Sequence, residues 1–296
     1  MTSNPTIDNE LRVALVTGST SGIGAAIARV LSLAGYAVVL HSRNSADTGR
    51  AMAAEMKQAI YVQADLAIEA DRVRLVNEAI AAWGQLDVLV NNAGISRVIP
   101  HGDLASASSQ VWHELNEVNV VAPFHLVALA ESALRDAARL RRAGCVVNIS
   151  SHAGVRPKGA SIPYAVSKAA LNHMTRLLAA SLGPDVRVNA VAPGLVDTPL
   201  TAGWAEAQEL WRTRSPMRRA ATRETGLAHK QRCLHRQSSG IARWSSCSRR
   251  GIRFRLRNLG AVNQKPSSTL VIPIMYQPIP SVVVGAPGVR QCFRSP

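Results

Sequence analysis

Short apolar strands alternate with longer helical segments through the first 200 residues of the chain, and few folds accept that alternation. The strands read at Val13–Val16, Ala37–His41, Ile60–Gln63, Val88–Asn91, Cys145–Ser150 and Val186–Val191. Helical periodicity fills the gaps at Gly22–Leu33, Asp47–Met56, Glu69–Trp83, Ser108–Leu140 and Ile162–Leu182, with one more helix at Ala202–Thr213. Strands joined by crossover helices run parallel, and the helices cover both faces of the sheet. The pattern predicts an α/β fold built on a doubly wound parallel sheet over residues 11–221, preceded by a polar N-terminal extension, residues 1–10. In such sheets ligands bind beyond the carboxyl ends of the strands, so the loops that follow strands are where chemistry is expected.

Those loops carry suggestive residues. Thr17-Gly18-Ser19-Thr20-Ser21-Gly22-Ile23-Gly24 follows the first strand and opens the first helix. Its glycines let backbone N–H groups approach a pyrophosphate, whose charge the helix N-terminus favours; without a ligand it is simply a glycine-rich turn. The second strand ends His41-Ser42-Arg43, about twenty residues beyond the glycines, where an acidic residue would bind the ribose 2′-hydroxyl of NAD. Ser42 and Arg43 suit a 2′-phosphate instead, and hence NADP, unless Arg43 is only a solvated loop cation. Asp65-Leu66 follows the third strand and Asn91-Asn92-Ala93-Gly94 the fourth. Asparagine there can bond the loop backbone and Gly94 admits a ligand closely, although each segment alone also reads as a plain turn.

Further along, Ser151 precedes Tyr164-Ala165-Val166-Ser167-Lys168. On a helix Tyr164 and Lys168 stand at i and i+4 and share one face. A phenol is protonated at neutral pH, and a nearby ammonium should bring its pKa toward the working range, suiting it to give or take a proton.

In order and spacing, Thr17–Gly24, Asn91–Gly94, Asn119, Ser151, Tyr164–Lys168 and Pro193-Gly194 resemble the short-chain dehydrogenase/reductase family over roughly residues 11–220. Within it the likeness is to bacterial ketoreductases of the 3-oxoacyl-carrier-protein reductase type. The resemblance implies a single Rossmann-type domain that transfers hydride between NAD(P), with NADP(H) favoured over NAD(H), and a carbonyl or secondary alcohol. It implies that Tyr164 is the acid/base and that Lys168 binds the nicotinamide ribose while lowering the tyrosine pKa. Ser151, rather than its neighbour Ser150, would bond the reacting oxygen, and Asn119 would hold a water relaying protons from Lys168. Implied cofactor contacts fall at Thr17, Gly18, Ser19, Ser21, Gly22, Ile23 and Gly24, at Ser42 and Arg43, and at Asn91, Ala93 and Gly94. Asp65 and Leu66 would flank the adenine, and Pro193, Gly194, Val196 and Thr198 would cover the nicotinamide. No metal is required, since the phenol and hydroxyl polarise the carbonyl. The substrate pocket would draw on Ser96–His101, His152–Ile162 and Leu200–Trp211.

The likeness ends near residue 222. Family members continue into a helix and a last strand ending near Val-Asp-Gly-Gly, whereas here periodicity and acidic residues vanish together. The net charge of +15 is equally lopsided: residues 221–296 hold 13 Lys and Arg against one acid, Glu224. We read residues 222–296 as a basic irregular tail arising from a shifted reading frame or an unrelated fusion. Loss of the last helix and strand would leave Val186–Val191 unpaired on a sheet edge, prone to aggregation. It would also remove one of the family's two usual dimer contacts, so a homodimer through the helices Ser108–Leu140 and Ile162–Leu182 is expected.

Cys145, Cys233, Cys247 and Cys292 show no metal or redox spacing, and Met1–Glu10 shows no secretory pattern, so a reduced cytoplasmic setting is expected. Four prolines interrupt Val271–Val289, which excludes it as a membrane span. Two other readings compete. In one, a damaged carboxyl end leaves a family member that binds cofactor but turns over poorly. In the other, Arg243, Arg249, Arg250, Arg253, Arg255 and Arg257 contact the phosphates of a nucleic acid, weakly and salt-sensitively without a folded motif.

Overall fold

β-branched and other apolar residues that follow one another without polar interruption suit strands covered on both faces, and each such run forms a strand. The computed structural model describes residues 11–140, 144–215, 218–222 and 240–243. The strands are β1 (Arg12–Val16), β2 (Tyr36–Ser42), β3 (Ala59–Gln63), β4 (Val88–Asn91), β5 (Gly144–Ile149), β6 (Val186–Ala192) and β7 (Gly240–Arg243). They lie in the order β3-β2-β1-β4-β5-β6-β7, and every pairing is parallel. The order reverses between β1 and β4, which opens a crevice at their carboxyl ends.

The helices are α1 (Gly22–Leu33), α2 (Ala46–Ala54), α3 (Glu69–Ala81), α4 (Ser109–Asn116), α5 (Ala122–Arg139), α6 (Ile162–Leu182) and α7 (Ala205–Arg214). Alternate strand residues point to opposite faces, so the sheet carries two cores. Val13, Leu15, Val39, Leu89 and Val146 pack with Leu75 of α3 and Leu126 and Leu134 of α5. On the other face Ala14, Val16, Val38, Leu40 and Val90 pack with Ile27, Ala28 and Leu31 of α1. The helical run Ser109–Arg139 is long and apolar enough to cross a membrane, but its apolar stripe is committed to the first of these cores.

Two expectations are corrected. The single helix expected over Ser108–Leu140 is broken by a π-helical turn, Glu117–Val121, between α4 and α5. Such a turn inserts an extra residue and re-aims the side chains inside it, here including Asn119. The position beside β6 that was expected to stand empty holds a short strand: Gly240–Arg243 pairs with Asn189–Ala192. The edge expected to stand open along Val186–Val191 is therefore covered over its carboxyl-terminal part by a segment placed in the irregular tail. Residues 1–10, 223–239 and 244–296, which include the expected extension and most of the tail with every arginine of its cluster but Arg243, lie outside the described residues.

Burial predicts a sharp contrast in stability. Leu126 is fully buried, so Leu126→Ala should cost about 2–5 kcal/mol, whereas Leu33, 88% exposed, should tolerate Leu33→Ser within about 0.5 kcal/mol. Urea denaturation of the two variants checks this.

Candidate active site

The glycine loop turns twice through left-handed backbone, at Gly18 (φ 61°) and Gly22 (φ 54°), conformations that a side chain would strain. Thr17 anchors it from below. Its buried hydroxyl donates to the Val90 carbonyl (3.3 Å) and accepts from the amides of Asn92 and Ala93 (both 3.0 Å), tying β1 to the loop after β4. The Asn92 amide group donates back to the carbonyls of Thr17 (2.9 Å) and Gly18 (3.0 Å). A Cβ at Gly24 would overlap the Gly18 carbonyl oxygen, so the loop closes tightly on the start of α1.

The early amides of this loop do not face the crevice. Gly18 N–H donates to His41 Nδ1 (3.0 Å) and Ser19 N–H to the His41 carbonyl (2.9 Å), while the buried Ser19 hydroxyl accepts from His41 N–H (2.8 Å). The amides of Gly18 and Ser19, two of the expected cofactor contacts, are thus engaged with β2. The first helical bond joins Ala25 N–H to the Ser21 carbonyl. The amides of Gly22, Ile23 and Gly24 ahead of it are the ones α1 leaves for an anion.

At the end of β2 the buried Ser42 hydroxyl bonds the Tyr61 hydroxyl (2.8 Å) and accepts from Ser45 N–H (3.1 Å), so it is engaged within the fold. Arg43 is exposed. Asp65 caps its own turn through Ala67 N–H (3.0 Å), and buried Leu66 gives its carbonyl to Arg72 (2.8 Å). Asn91 is buried beneath the crevice, donating to Asn148 Oδ1 (2.9 Å), whose own amide donates to Thr175 Oγ1 (2.9 Å). Ala93 is held by Thr17. Gly94 approaches Asn119 and Lys168: a Cβ there would lie 3.0 Å from Asn119 Oδ1 and 3.3 Å from Lys168 Nζ.

Helix α6 begins at Ser161, whose hydroxyl accepts from Tyr164 N–H (3.3 Å), and a proline follows in its first turn. This fixes where Tyr164 and Lys168, one turn apart, meet the end of β5. Ser151 caps a short 3₁₀ turn, accepting from Ala153 N–H (3.2 Å), and its side chain faces the Tyr164 phenol closely enough to favour the ionised form. Ser150 points elsewhere, donating to the Lys168 carbonyl (3.2 Å), so geometry separates the two adjacent serines. Lys168 Nζ donates to the Ile149 carbonyl (3.1 Å) and stands 5.9 Å from the Tyr164 ring centroid.

Asn119 is completely buried. Its amide accepts from Ile95 N–H (3.0 Å) and donates to the Ile95 carbonyl (3.0 Å) and to Ser167 Oγ (3.1 Å). The side chain thus braces the loop after β4 against α6.

One electrostatic expectation is reversed. Burial pushes the Tyr164 phenol up from its ordinary value, and the Ser151 side chain only partly opposes this. Burial also brings the Lys168 ammonium down to about 8, and its hydrogen bond goes to the backbone carbonyl of Ile149.

The loop after β6 closes the crevice. The Pro193 carbonyl accepts from His152 N–H (2.8 Å), which joins it to the Ser151 turn. A side chain at Gly194 would overlap the indole of Trp211 on α7. Val196 bridges to Ala221, and its carbonyl accepts from Thr201 Oγ1 (2.6 Å). Thr198 lies over the glycine loop, 3.3 Å from where a Gly22 Cβ would be. Trp204, at the start of α7, meets Tyr164 edge to face at 6.4 Å between ring centroids.

Comparison with known proteins decides the family. The family model for short chain dehydrogenases matches residues 12–209, about two thirds of the chain. This chain is a short-chain dehydrogenase/reductase. It is 48% identical over 218 residues to ketoacyl reductase 2 of the granaticin polyketide synthase from Streptomyces violaceoruber, covering 73% of this chain and 86% of that one. Among solved structures, it is similar to 3-ketoacyl-(acyl-carrier-protein) reductase from Brucella melitensis complexed with NADH (TM-score 0.71, 26% identity, 78% of this chain and 94% of that one). It is also similar to a variant of actinorhodin polyketide ketoreductase solved with NADPH (TM-score 0.72, 26% identity, 81% of this chain and 98% of that one). This short-chain dehydrogenase/reductase is accordingly an NAD(P)-dependent oxidoreductase. Its site fits a nicotinamide dinucleotide: α1 leaves amides for an anion, and Lys168 is a buried cation with donors to spare for ribose hydroxyls. Among the described residues no group of three or more His, Cys, Asp or Glu could hold a metal ion.

Sequence reading missed His41, the Asn91–Asn148–Thr175 chain and the Trp204 contact. Asn148 and Thr175 carry no local signal, because only sheet and helix packing brings them together.

The buried ammonium should leave a mark on stability. A lysine lowered to about 8 when folded keeps its proton to a higher pH when unfolded, so its burial destabilises most at low pH. That penalty is full below about pH 8 and shrinks as pH rises toward the unfolded value. Without cofactor, Lys168→Met should therefore be more stable than the parent chain at pH 7, by about 1–3 kcal/mol, with a smaller gap at pH 9.5. Urea melts at the two pH values measure it.

Proposed function

We propose that this oxidoreductase reduces a ketone, in the manner of a 3-oxoacyl ketoreductase, with Tyr164 as proton donor. The observation that carries the reading is the pairing of a buried, proton-retaining Tyr164 phenol with the Ser151 hydroxyl at the mouth of the crevice. A phenol whose pKa is raised is a donor at neutral pH, which suits it to protonate an alkoxide as it forms. Ser151 would supply the second hydrogen bond to that oxygen, and together they would polarise the carbonyl. A bound nicotinamide supplies the hydride. Lys168 would hold the nicotinamide ribose. Asn119 would serve the relay through its backbone or the spare lone pair of Oδ1, since its amide hydrogens are already placed on Ile95 and Ser167.

The amides of Ser21, Gly22, Ile23 and Gly24 would receive the pyrophosphate; Thr17, Gly18, Ser19 and Asn91 would shape the cleft from beneath. Asp65 and Leu66 would flank the adenine, with Ala93 and Gly94 beside the adjoining ribose. Pro193, Gly194, Val196 and Thr198 would cover the carboxamide. NADP is preferred in this reading, because exposed Arg43 is free to meet a 2′-phosphate and no carboxylate stands at the end of β2. The similarity to a ketoacyl reductase over 86% of its length supports the substrate class.

Further proposals concern the chain as a whole. A cytoplasmic homodimer through α5 and α6 is supported by the apolar side chains they leave exposed, among them Phe124 at 50% and Leu177 at 59%; sedimentation equilibrium tests it, and a monomer would refute it. A tail of foreign reading frame from about residue 222 is supported by the family match ending at residue 209. It fails if no alternative frame of the coding region encodes a Val-Asp-Gly-Gly ending.

A panel of ketones and 3-oxoacyl thioesters with NADPH and NADH, followed by nicotinamide absorbance, tests the function. Oxidation of NADPH faster than NADH, dependent on the carbonyl compound, is expected. Tyr164→Phe should lower turnover by about 10²–10⁴-fold while cofactor affinity changes little, and full activity in that variant would refute the mechanism.

A further inference from the structure

His41 is a buried titratable group that the proposed chemistry leaves unused, and its ring joins two parts of the crevice that the sequence keeps apart. It is 2% exposed at the end of β2. Gly18 N–H donates to Nδ1 at 3.0 Å, so Nδ1 presents its lone pair and the ring proton is on Nε2. Nε2 lies 3.0 Å from the carbonyl of Ala64, to which it donates. Its main chain completes the arrangement by pairing with Ser19 in both directions. Burial lowers the imidazole to about 4, which keeps it neutral at neutral pH and preserves this acceptor and donor pair.

We propose that His41 is a positioning residue for the dinucleotide: its neutral imidazole sets the first turn of the glycine loop against the Ala64–Leu66 end of β3. The proposal rests on the dinucleotide reading of the crevice. Its logic is one of alignment. The pyrophosphate amides follow Gly18 within one turn, and Asp65 and Leu66 follow Ala64 directly. A rigid planar ring bonded to both ends therefore fixes the separation between the anion-facing and adenine-facing walls. An ordinary core histidine would stabilise the fold, and its loss would weaken binding only as far as it lowers that stability.

Two substitutions divide the ring's functions. His41→Asn places an amide oxygen near Nδ1 and retains the bond from Gly18; His41→Gln places an amide N–H₂ near Nε2 and retains the bond to Ala64. His41→Leu retains neither. The full-length chain and each variant are titrated with NADPH, following nicotinamide fluorescence, and melted in urea without cofactor. We expect His41→Asn and His41→Gln each to bind NADPH about tenfold more weakly than the parent chain, at similar urea midpoints, because each breaks one of the two bonds that set the separation. His41→Leu should be at least as weak as either. Affinity within about threefold of the parent chain in either the Asn or the Gln variant would overturn the proposal even if His41→Leu fails to fold, as would losses that merely track the urea midpoints. Failure of the parent chain to bind either NADPH or NADH would instead overturn the dinucleotide reading itself, and this proposal with it.

Discussion

Every strand in this sheet runs the same way because each helix must return along a face before the next strand can start. That constraint gathers the carboxyl ends of seven strands at one rim, and the loops with Ser42, Asn91, Ser151 and Pro193 all emerge there. The reversal of order between β1 and β4 then parts the helices on opposite faces and leaves a crevice over that rim. Nothing in the loops has to find the others. The sheet register, with Val16 beside Leu40 and Val90, delivers them within hydrogen-bonding distance.

Beneath the rim lies a layer of polar side chains that face inward. Thr17, His41, Asn91, Asn119 and Asn148 are all buried, and each spends hydrogen bonds on joining one loop or strand to another. Buried polar groups are expensive unless satisfied, and once satisfied they fix geometry more tightly than apolar contacts do. Lys168 is the exception, a buried cation whose Nζ bonds the Ile149 carbonyl. Its desolvation is an energetic burden on the fold, and the proposed catalytic face is built around it.

Much of this was legible in the sequence, for identifiable reasons. Strand and helix periods depend on neighbours in the chain, so the bounds of α1, α6 and β4 emerge as expected. The i, i+4 spacing of Tyr164 and Lys168 and the helix-opening position of Gly22 are local facts of the same kind. Orientation across the sheet was not legible. The sequence does not show that β2 engages the amides of Gly18 and Ser19. The π-helical turn at Asn119 has no pattern of its own within an apolar helical run. Tyr164 was expected to have a lowered pKa from its proximity to Lys168, but burial acts on both groups, raising the phenol and lowering the ammonium. β7 escaped notice because Gly240–Arg243 shows no strand-like alternation and gains its partner only from β6.

The vacancy at Gly194 has a consequence for how the molecule can be altered. The indole of Trp211 occupies the space a side chain there would need, so the loop after β6 and the helix that follows it are fitted as plug and socket. Neither can be exchanged alone. A chimera that imports a new α7 to change substrate preference inherits the ring that must fill the hollow, and one that imports a new loop inherits the hollow itself. The two segments form a single module, and recombination that cuts between residues 194 and 211 will separate parts that have to travel together.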